Sequence, residues 1–369
     1  MTLDRYHPLG RTGLHVSPLG LGTMTFGSAT FGSGTFGSAT VGSGGWQASP
    51  ETARAIFLRY LERGGNFVDT ANIYGGGASE ELLGRLIEET GSRDRLVLAT
   101  KFGGPVDPAD PNGRGNGRKH ILSALESSLR RLRTDYIDLY WLHLWDQVST
   151  AEEVMATFDA LVRDGRVRAV GLSDVPAWYA TKAQLLARAN GWEPVAALQL
   201  EYSLLQRSIE WEHLPAALDL DMSVVAWSPL ANGFLTGKYR PDGSALAGVG
   251  RLAPGRGWPG AEPARAERDW ALLDTLTNVA GEVGCQPAQA ALNWVAGRPG
   301  VVSTLVGATS VAQLDANLDA LAVDLPETQV RTLDVASYQT PRMFPHNLFA
   351  RFSTHSVRRR PAWRPADYA

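Results

Sequence analysis

The sequence predicts a (β/α)8 TIM barrel, an α/β fold in which eight parallel strands alternate with helices that cover the outside of the sheet. Short β-rich runs recur eight times, and each ends in a small or polar residue. Stretches with helical periodicity follow most of these runs. No G-x-G-x-x-G motif links the first run to a helix, which disfavours an open dinucleotide-binding sheet, the alternative architecture.

The elements follow in chain order. Strands are predicted at residues 19–23, 66–70, 96–101, 137–143, 169–174, 197–202, 223–228 and 303–307. Amphipathic helices are predicted between them at residues 51–63, 79–90, 119–132, 151–164, 176–190 and 311–321. Ser49 and Pro50 are typical of a helix start, and so is Thr150. Ahead of the first strand, residues 6–16 contain two glycines and predict a short hairpin that plugs the opposite end of the barrel.

Residues 1–369 are predicted to form a single domain, with the barrel at about residues 15–325 and long loops on its C-terminal face. Residues 25–45 hold four copies of a five-residue unit, TFGSA TFGSG TFGSA TVGSG, whose period suits neither helix nor strand faces. We expect a mobile loop there, which is either a lid over the substrate or a repeat expansion tolerated at the surface. Residues 241–263 predict a further loop on the active face. The tail, residues 338–369, either crosses the substrate mouth or is solvated.

Composition excludes several classes of protein. The 369 residues include 35 basic and 38 acidic side chains, and the first block of like charge is the three arginines at 358–360, so nucleic acid is not expected as a partner. Cys285 is the only cysteine, which excludes an internal disulfide and a zinc-thiolate site and favours a reducing cytoplasm. The first ten residues have no apolar signal core, and no apolar stretch approaches the roughly 18 residues of a membrane span. We expect a soluble cytoplasmic protein with no membrane partner, either a monomer or a homo-oligomer.

Four polar side chains are predicted to meet at one rim of the barrel. The second, third and fourth strands end in NFVDT, LVLATK and IDLYWLH, which places Asp69, Lys101 and His143 at that rim, and Tyr74 follows Asp69 by five residues. A buried aspartate and a buried lysine offset each other's desolvation. Only four of the 35 basic residues are lysines, so a lysine at the end of the third strand indicates a role that arginine does not fill.

These four residues have the chemistry that reduces a carbonyl. Hydride addition at carbon requires a proton at the oxygen, and Tyr74 is the candidate acid. An ammonium about 4 Å away favours the phenolate by up to about 4 kcal/mol, roughly three pKa units at most. Lys101 is placed to do this, Asp69 to hold Lys101, and His143 to orient the carbonyl oxygen. Each residue alone has an ordinary structural explanation, but the ordered set predicts catalysis. No histidine pair has metal-ligand spacing, so no metal is expected.

Several longer segments resemble the aldo-keto reductases, in the family's order, over about residues 9–320. The segments are GRTGLHVSPLGLGTM, FVDTANIYGGGASEELLG, LATK, YIDLYWLHLWD, GLSD, LQLEYSLLQR, AWSPLANGFLTGKY and STLVGATSVAQLDANL. The resemblance implies an NAD(P)-dependent oxidoreductase that reduces an aldehyde or ketone, such as a keto sugar or another metabolite carbonyl, to the alcohol. It places the family's catalytic Asp, Tyr, Lys and His on Asp69, Tyr74, Lys101 and His143.

The resemblance also implies a nicotinamide dinucleotide extended across the barrel mouth. The matching positions are Thr23, Met24, Asp69, Ser173, Asp174, Gln199, Trp227, Ser228, Pro229, Leu230, Lys238, Gly307, Thr309, Gln313 and Asn317. Ser173 and Gln199 can hydrogen-bond the carboxamide, and Trp227 offers a ring on which nicotinamide can stack. The loop after the seventh strand offers backbone donors for the pyrophosphate.

Two of these positions depart from the family's pattern. Asp174 stands where the family often has asparagine, so an ionised Asp174 accepts a hydrogen bond from the carboxamide but donates none. Thr309 stands where many members have a basic residue that helps to select the 2'-phosphate. We expect NADP(H), with Thr309, Lys238 and Arg251 sharing that phosphate, and NAD(H) stays an alternative. Two other functions also stay open: a cofactor-sensing regulatory subunit, as in the similar channel-associated β subunits, and a redox-neutral epimerase or isomerase.

Overall fold

The structure, a computed structural model, describes residues 2–27, 34–36, 39–41, 47–105, 109–241, 252 and 266–348. Eight parallel strands close into a barrel in which each strand pairs with its neighbours in chain order. They are Leu19–Gly22, Phe67–Asp69, Val97–Phe102, Ile137–Leu142, Val167–Ser173, Val195–Glu201, Ser223–Trp227 and Val301–Val306, numbered below as the first to the eighth barrel strand. The predicted fold class is confirmed, and the predicted strand boundaries move by no more than two residues.

Helices surround the barrel. They are Pro50–Glu62, Ala78–Thr90, Arg118–Leu132, Ala151–Arg163, Ala177–Asn190, His213–Asp219, Glu267–Val283, Pro287–Ala296, Val311–Leu318 and Glu327–Ser337. The six predicted helices are all present, and their starts have the expected caps. Ser49 Oγ accepts from the Thr52 amide at 3.2 Å, and Thr150 Oγ1 accepts from the Glu153 amide at 3.3 Å. Four helices of the described residues were not predicted from the sequence: His213–Asp219, Glu267–Val283, Pro287–Ala296 and Glu327–Ser337.

The alternation of each strand decides which side chains enter the barrel. Phe67, Ala99, Leu139 and Trp141 belong to one buried apolar cluster inside the barrel. Because successive side chains of a strand point to opposite faces, residues two positions further along face the same interior. Room for the Trp141 ring comes from Gly171 on the next strand, where a Cβ would lie 2.2 Å from a ring carbon. The apolar lower barrel is therefore filled, and the polar ends of the strands form the floor of its mouth.

A hairpin closes the other end of the barrel, as predicted. His7–Pro8 pairs with His15–Val16 in antiparallel orientation. Leu9, just after the first of these strands, is fully buried in the interior cluster. Gly10 has a left-handed φ of 57°, and a Cβ there would lie 2.3 Å from the Ala196 carbonyl oxygen, so this close approach requires glycine.

The predicted loops are described only in part. Within the repeat, which the sequence predicts to be a loop, Gly34–Phe36 pairs with Ala39–Val41 as a small antiparallel sheet. The other repeat residues from 28 to 46, most of the loop at 241–263 and the tail from 349 lie outside the described residues.

The described part of the tail lies against the segment that follows the sixth strand. Gln339 Nε2 donates to the Leu205 carbonyl at 2.7 Å, and His346 Nε2 lies 2.8 Å from Glu212 Oε1. Among the helices of the described ranges, none combines the length and the apolar character that crossing a bilayer requires.

Candidate active site

Lys101 lies at the centre of the polar floor, on the third strand, with 1% of its surface exposed. Its ammonium forms an ion pair with Asp69 Oδ1 and also donates to the Thr70 carbonyl at 2.8 Å and to Tyr74 Oη at 3.2 Å. An ammonium has three N–H donors, and here each has an acceptor. The geometry therefore brings together three of the four predicted residues through a single buried cation.

Tyr74 begins a tight turn, Tyr74–Gly77, that leads into the helix Ala78–Thr90. Gly75, Gly76 and Gly77 all have left-handed φ angles, of 59°, 66° and 102°, which allow the chain to reverse directly after the tyrosine. These three glycines therefore form the turn that positions Tyr74. The Tyr74 side chain is half-buried at the mouth, so its hydroxyl is held by Lys101 while part of the ring stays accessible.

His143, one residue past the fourth strand, completes the group. Its ring packs edge-on against Tyr74, with centroids 5.9 Å apart and planes at 81°. Burial lowers the pKa of His143 well below its usual value, and the Lys101 ammonium lowers it further. The imidazole is therefore neutral at pH 7, and it can donate one ring N–H to a carbonyl oxygen.

The pKa of Tyr74 reflects two opposing effects. Burial raises it, and the Lys101 ammonium lowers it, as the sequence predicted. The net shift is upward, so the expectation that Lys101 brings the tyrosine toward neutral pH is wrong for the protein alone. The prediction from the sequence included the charge of the ammonium but left out the effect of desolvation on the pKa of the phenol. Tyr74 is consequently fully protonated at neutral pH, with a cation beside it that stabilises the phenolate once the proton has left.

The second oxygen of Asp69 has a partner that the sequence interpretation missed. Gln199 Nε2 donates to Asp69 Oδ2 at 3.0 Å. Burial raises the pKa of Asp69, and the Lys101 charge opposes that rise. For Lys101, burial lowers the pKa, but Asp69 and Tyr74 raise it by more. The lysine thus stays charged, and the carboxylate that holds it is fixed from two sides.

A further buried network supports this group from behind. Glu80 has no exposed surface, accepts from Thr100 Oγ1 at 2.5 Å and is paired with Arg131 Nε at 2.7 Å. Thr100 precedes Lys101, and Glu80 follows the glycine turn after Tyr74, so this contact ties the two segments together. The sequence contains the pattern ASEE just after the turn, and a charged residue at a buried helix start was the signal that could have identified it.

Four of the predicted cofactor residues form a second hydrogen-bonded group beside the first. Trp227 Nε1 donates to Asp174 Oδ1 at 3.1 Å, and Ser173 Oγ donates to Asp174 Oδ2 at 3.3 Å. Ser173 pairs in register with Gln199 on the next strand. Ser173 and Gln199 are almost fully buried, while Trp227 is half-buried at the rim. Polar groups of this kind, close to an accessible aromatic ring, suit a flat ligand with an amide substituent.

Asp174 itself has an unusual environment. Its φ of 47° is left-handed, and its amide donates to the Gln199 carbonyl at 3.2 Å. Burial raises the pKa of Asp174 to about 7, and the nearby Glu201 raises it further while Trp227 and Ser173 lower it. The sequence interpretation missed Glu201, although it follows Gln199 by two residues and therefore lies on the same face of the sixth strand.

The loop after the seventh strand has the backbone expected for an anion-binding turn. Ser228, Ala231, Asn232 and Gly233 all have left-handed φ angles, between 48° and 88°. Successive backbone amides in such a conformation form a concave surface that favours negative charge. The Lys238 ammonium is close to this turn, since a Cβ added at Gly233 would lie 3.2 Å from Lys238 Nζ. Pro229 is buried and Leu230 half-buried in the same loop.

The last predicted set surrounds the start of helix Val311–Leu318. The Thr309 amide and hydroxyl both donate to Gln313 Oε1, at 2.8 and 3.1 Å, and both side chains are exposed. Asn317 Nδ2 donates to the Gly307 carbonyl at 3.4 Å. Ser310 caps the helix, whose N-terminal amides attract an anion. Arg251, the third residue expected at the 2'-phosphate, lies outside the described residues.

Thr23 and Met24, just after the first strand, are the last two predicted cofactor residues. Thr23 is fully buried, and its amide and hydroxyl both donate to the Asp69 carbonyl, at 2.9 and 3.1 Å. Met24, next to it, is half-buried. Taken together, the polar group around Asp174, the left-handed turn with Lys238 and the capped helix start have the chemistry that the nicotinamide, pyrophosphate and adenosine phosphate parts of a dinucleotide require. Within the described ranges, no cluster of three or more His, Cys, Asp or Glu side chains could hold a metal ion.

The sequence is similar to one protein family and to several relatives that are named as oxidoreductases, reductases or dehydrogenases. The Aldo/keto reductase family model matches residues 18–337. An uncharacterized oxidoreductase of Bacillus subtilis is 36% identical over 337 residues, 89% of this chain and 94% of that protein. A norsolorinic acid reductase of Emericella nidulans is 33% identical, over 87% of this chain and 78% of its own length. An NADP(+) aryl-alcohol dehydrogenase of Phanerodontia chrysosporium is 31% identical, over 94% and 88%.

Proposed function

The chain belongs to the aldo/keto reductase family of NAD(P)-dependent oxidoreductases, and from this premise we propose that it reduces an aldehyde or ketone to the alcohol with NADPH. One observation carries the proposal. The buried Lys101 ammonium contacts Asp69, the Thr70 carbonyl and the Tyr74 hydroxyl at once, with the neutral His143 ring against Tyr74. This arrangement supplies a proton donor and stabilises the anion that the donor leaves behind.

In this mechanism, a bound nicotinamide supplies a hydride to the carbonyl carbon. Tyr74 Oη donates its proton to the carbonyl oxygen as negative charge develops there. The Lys101 ammonium lies 3.2 Å from Tyr74 Oη and stabilises the resulting phenolate. His143 donates a ring N–H to the same carbonyl oxygen and thereby orients the substrate. Asp69 and Gln199 do not react; they keep Lys101 charged and in position.

For the cofactor, we infer NADPH in preference to NADH. The turn at residues 228–233 offers backbone donors beside Lys238, and Thr309 stands at a capped helix start, so a cation and a helix N-terminus are available to phosphates. The name of the Phanerodontia relative, which specifies NADP(+), agrees with this inference. We also infer a reducing, cytoplasmic setting, because Cys285 has no second cysteine in the sequence with which to form a disulfide.

For the substrate, we infer an aromatic carbonyl compound. The Phanerodontia chrysosporium relative is named as an aryl-alcohol dehydrogenase. The chain has an aromatic cluster just beyond the candidate site. Trp145, two residues after His143, lies 5.5 Å from the Trp178 ring centroid in an edge-on contact and 5.9 Å from Tyr179. Such a cluster offers offset or edge-on contacts to an aromatic substrate.

The test is consumption of NADPH by the purified protein, followed by absorbance, with a panel of aryl aldehydes, aryl ketones, aliphatic aldehydes and keto sugars. A Tyr74→Phe variant is the matched control, because it keeps the ring and loses only the proton donor. Single-turnover measurements accompany the steady state, since product release limits many enzymes of this kind. Binding of NADPH without consumption by any substrate would contradict the reductase proposal and favour the cofactor-sensing alternative. Interconversion of a sugar without net NADPH loss would favour the epimerase.

A further inference from the structure

The starting observation is a carboxyl group built into the place where the nicotinamide amide is proposed to bind. The left-handed backbone of Asp174 directs its side chain between two donors, Trp227 Nε1 at 3.1 Å and Ser173 Oγ at 3.3 Å. Ser173 lies in register with Gln199, which in turn contacts Asp69. Asp174 is therefore part of the continuous polar floor of the mouth.

The charged groups around Asp174 come from three other strands. Glu201, at the end of the sixth strand, lies in register with Trp227 on the seventh and opposes the ionisation of Asp174. Lys101 on the third strand favours ionisation. Tyr74 follows the second strand, and the Asp174 charge raises the Tyr74 pKa. The carboxyl group and the candidate acid are therefore electrostatically coupled across the mouth.

We propose that Asp174 is a specificity-determining residue that selects between the oxidised and reduced forms of the nicotinamide cofactor according to pH. The inference rests on the proposed function, because it takes the nicotinamide to bind against Ser173, Gln199 and Trp227. An asparagine, which the family often has at this position, would offer no such selection, since an amide does not titrate in this range.

The physical reason is the charge of the nicotinamide ring, which is positive when oxidised and neutral when reduced. An ionised Asp174 attracts the oxidised ring and accepts a hydrogen bond from its amide nitrogen. A protonated Asp174 has no charge with which to discriminate, and it can donate to the amide oxygen. The pKa of Asp174 is raised to about 7, so the carboxyl group changes state near neutral pH. Tyr74 and His143 are neutral through this range, because burial raises the pKa of one and lowers that of the other.

The selection has a defined direction. Rising pH ionises Asp174 and should strengthen binding of NADP+ relative to NADPH, and falling pH should favour NADPH. Both nucleotides have the same phosphates, so phosphate titration and contacts with Lys238 cancel in the ratio of their dissociation constants. The ratio Kd(NADPH)/Kd(NADP+) therefore isolates the charge of the ring.

The experiment measures both dissociation constants for the full chain by quenching of tryptophan fluorescence, from about pH 5.5 to about pH 8.5, on either side of the Asp174 pKa. We expect the ratio to rise about tenfold over this range, which corresponds to a coupling of about one pKa unit. In Asp174→Asn the ratio should stay constant; asparagine tolerates a left-handed backbone well, so this variant is expected to fold. In Glu201→Gln the rise should occur at lower pH, because a charge that opposes ionisation is gone.

Calorimetry in two buffers of different ionisation enthalpy gives an independent readout. Near pH 7, binding of NADP+ to the wild-type protein should release a fraction of a proton more than binding of NADPH does. Asp174→Asn should show no difference between the two, and Asp324→Asn, at an exposed position, should behave as wild type. A wild-type ratio that is constant with pH, or a rise that persists in Asp174→Asn, overturns the inference and leaves the proposed function intact. If neither nucleotide binds at any pH, both the inference and the proposed function are overturned.

Discussion

Gln199 donates a hydrogen bond to Asp69 across the barrel, 3.0 Å from Nε2 to Oδ2. The two residues are 130 positions apart, on the sixth and second strands, which lie on opposite sides of the closed sheet. The same carboxylate holds Lys101 through its other oxygen. The position of the Lys101 ammonium therefore depends on closure of the whole barrel, and this dependence underlies the predictions for the Lys101 and Asp69 variants below.

The rate of reduction should respond to pH through Tyr74. Reduction requires the protonated phenol, whose pKa lies above its ordinary value of 10.0, so the rate is lost only as pH rises through that pKa. His143 has a pKa well below 6.5 and adds no transition near neutrality. In Asp174→Asn, which lacks the carboxyl group with a pKa of about 7 beside the proposed nicotinamide site, the single-turnover rate at saturating NADPH should be flat from about pH 6 to about pH 9. Alcohol oxidation, which needs the phenolate, should rise with pH instead.

Tyr74→Phe should lower the single-turnover rate by about 10² to 10⁴ and remove the alkaline decrease, because the proton donor is gone. Tyr6→Phe is the matched control; its hydroxyl contacts the Gly64 carbonyl at an exposed position outside the mouth, and the rate should not change. A Tyr74→Phe rate within about tenfold of wild type would show that another group donates the proton.

Removal of the Lys101 charge should destabilise the fold. Lys101→Met leaves the Asp69 carboxyl group buried without its cation, and the free energy of unfolding should fall by about 3–5 kcal/mol. Lys182→Met is the control, since its ion pair with Glu152 is about half exposed and should contribute no more than about 1 kcal/mol. Urea denaturation measures both variants.

The double variant Asp69→Asn with Lys101→Met tests the cause. Because no buried charge then lacks a partner, it should recover most of the stability lost in Lys101→Met. If it is as unstable as the sum of the two single variants, the loss is due to packing and the electrostatic account is wrong.

Burial of Asp174 should make stability depend on pH. The pKa rises from an ordinary 3.8 to about 7 in the folded protein, so the folded state retains a proton that the unfolded state has lost. Stability is therefore unaffected below about pH 4 and decreases as pH rises through 7, by at most about 4 kcal/mol. Asp174→Asn should gain stability relative to wild type over that interval, as measured by urea denaturation at several pH values. A difference between the two proteins that does not change with pH would disprove this account.

Two glycines in helices should respond to alanine in opposite ways. In helix Ala78–Thr90, a Cβ at Gly84 would lie 2.4 Å from the Arg131 carbonyl oxygen, a backbone atom that cannot yield without moving its own helix. Gly84→Ala should cost about 1–3 kcal/mol or more. In helix Glu267–Val283, Gly281 is exposed with nothing within 4 Å of its Cβ position, so Gly281→Ala should gain about 0.5–1 kcal/mol. Thermal denaturation should give shifts of opposite sign.

Much of the architecture could be predicted because it depends on local patterns. The eight β-rich runs, the helices between them and the hairpin at residues 6–16 follow from periodicity and turn residues over short distances. The rim positions of Asp69, Lys101 and His143 follow from strand ends in the same way. The helices between the seventh and eighth strands were not predicted; they follow the proline- and glycine-rich residues 241–263, whose composition is typical of a loop.

By itself, the sequence determined the order of strands and helices and the kinds of side chain that end each strand, since these depend on spacing along the chain. Only the tertiary structure decided which contacts those side chains make and how far their pKa values shift. The contact of Gln199 with Asp69 arises when the barrel closes, the net rise in the Tyr74 pKa arises from burial, and the raised pKa of Asp174 arises from burial with a further contribution from Glu201. Each of these is a balance between desolvation and a partner distant in the chain, and neither quantity exists before the strands meet.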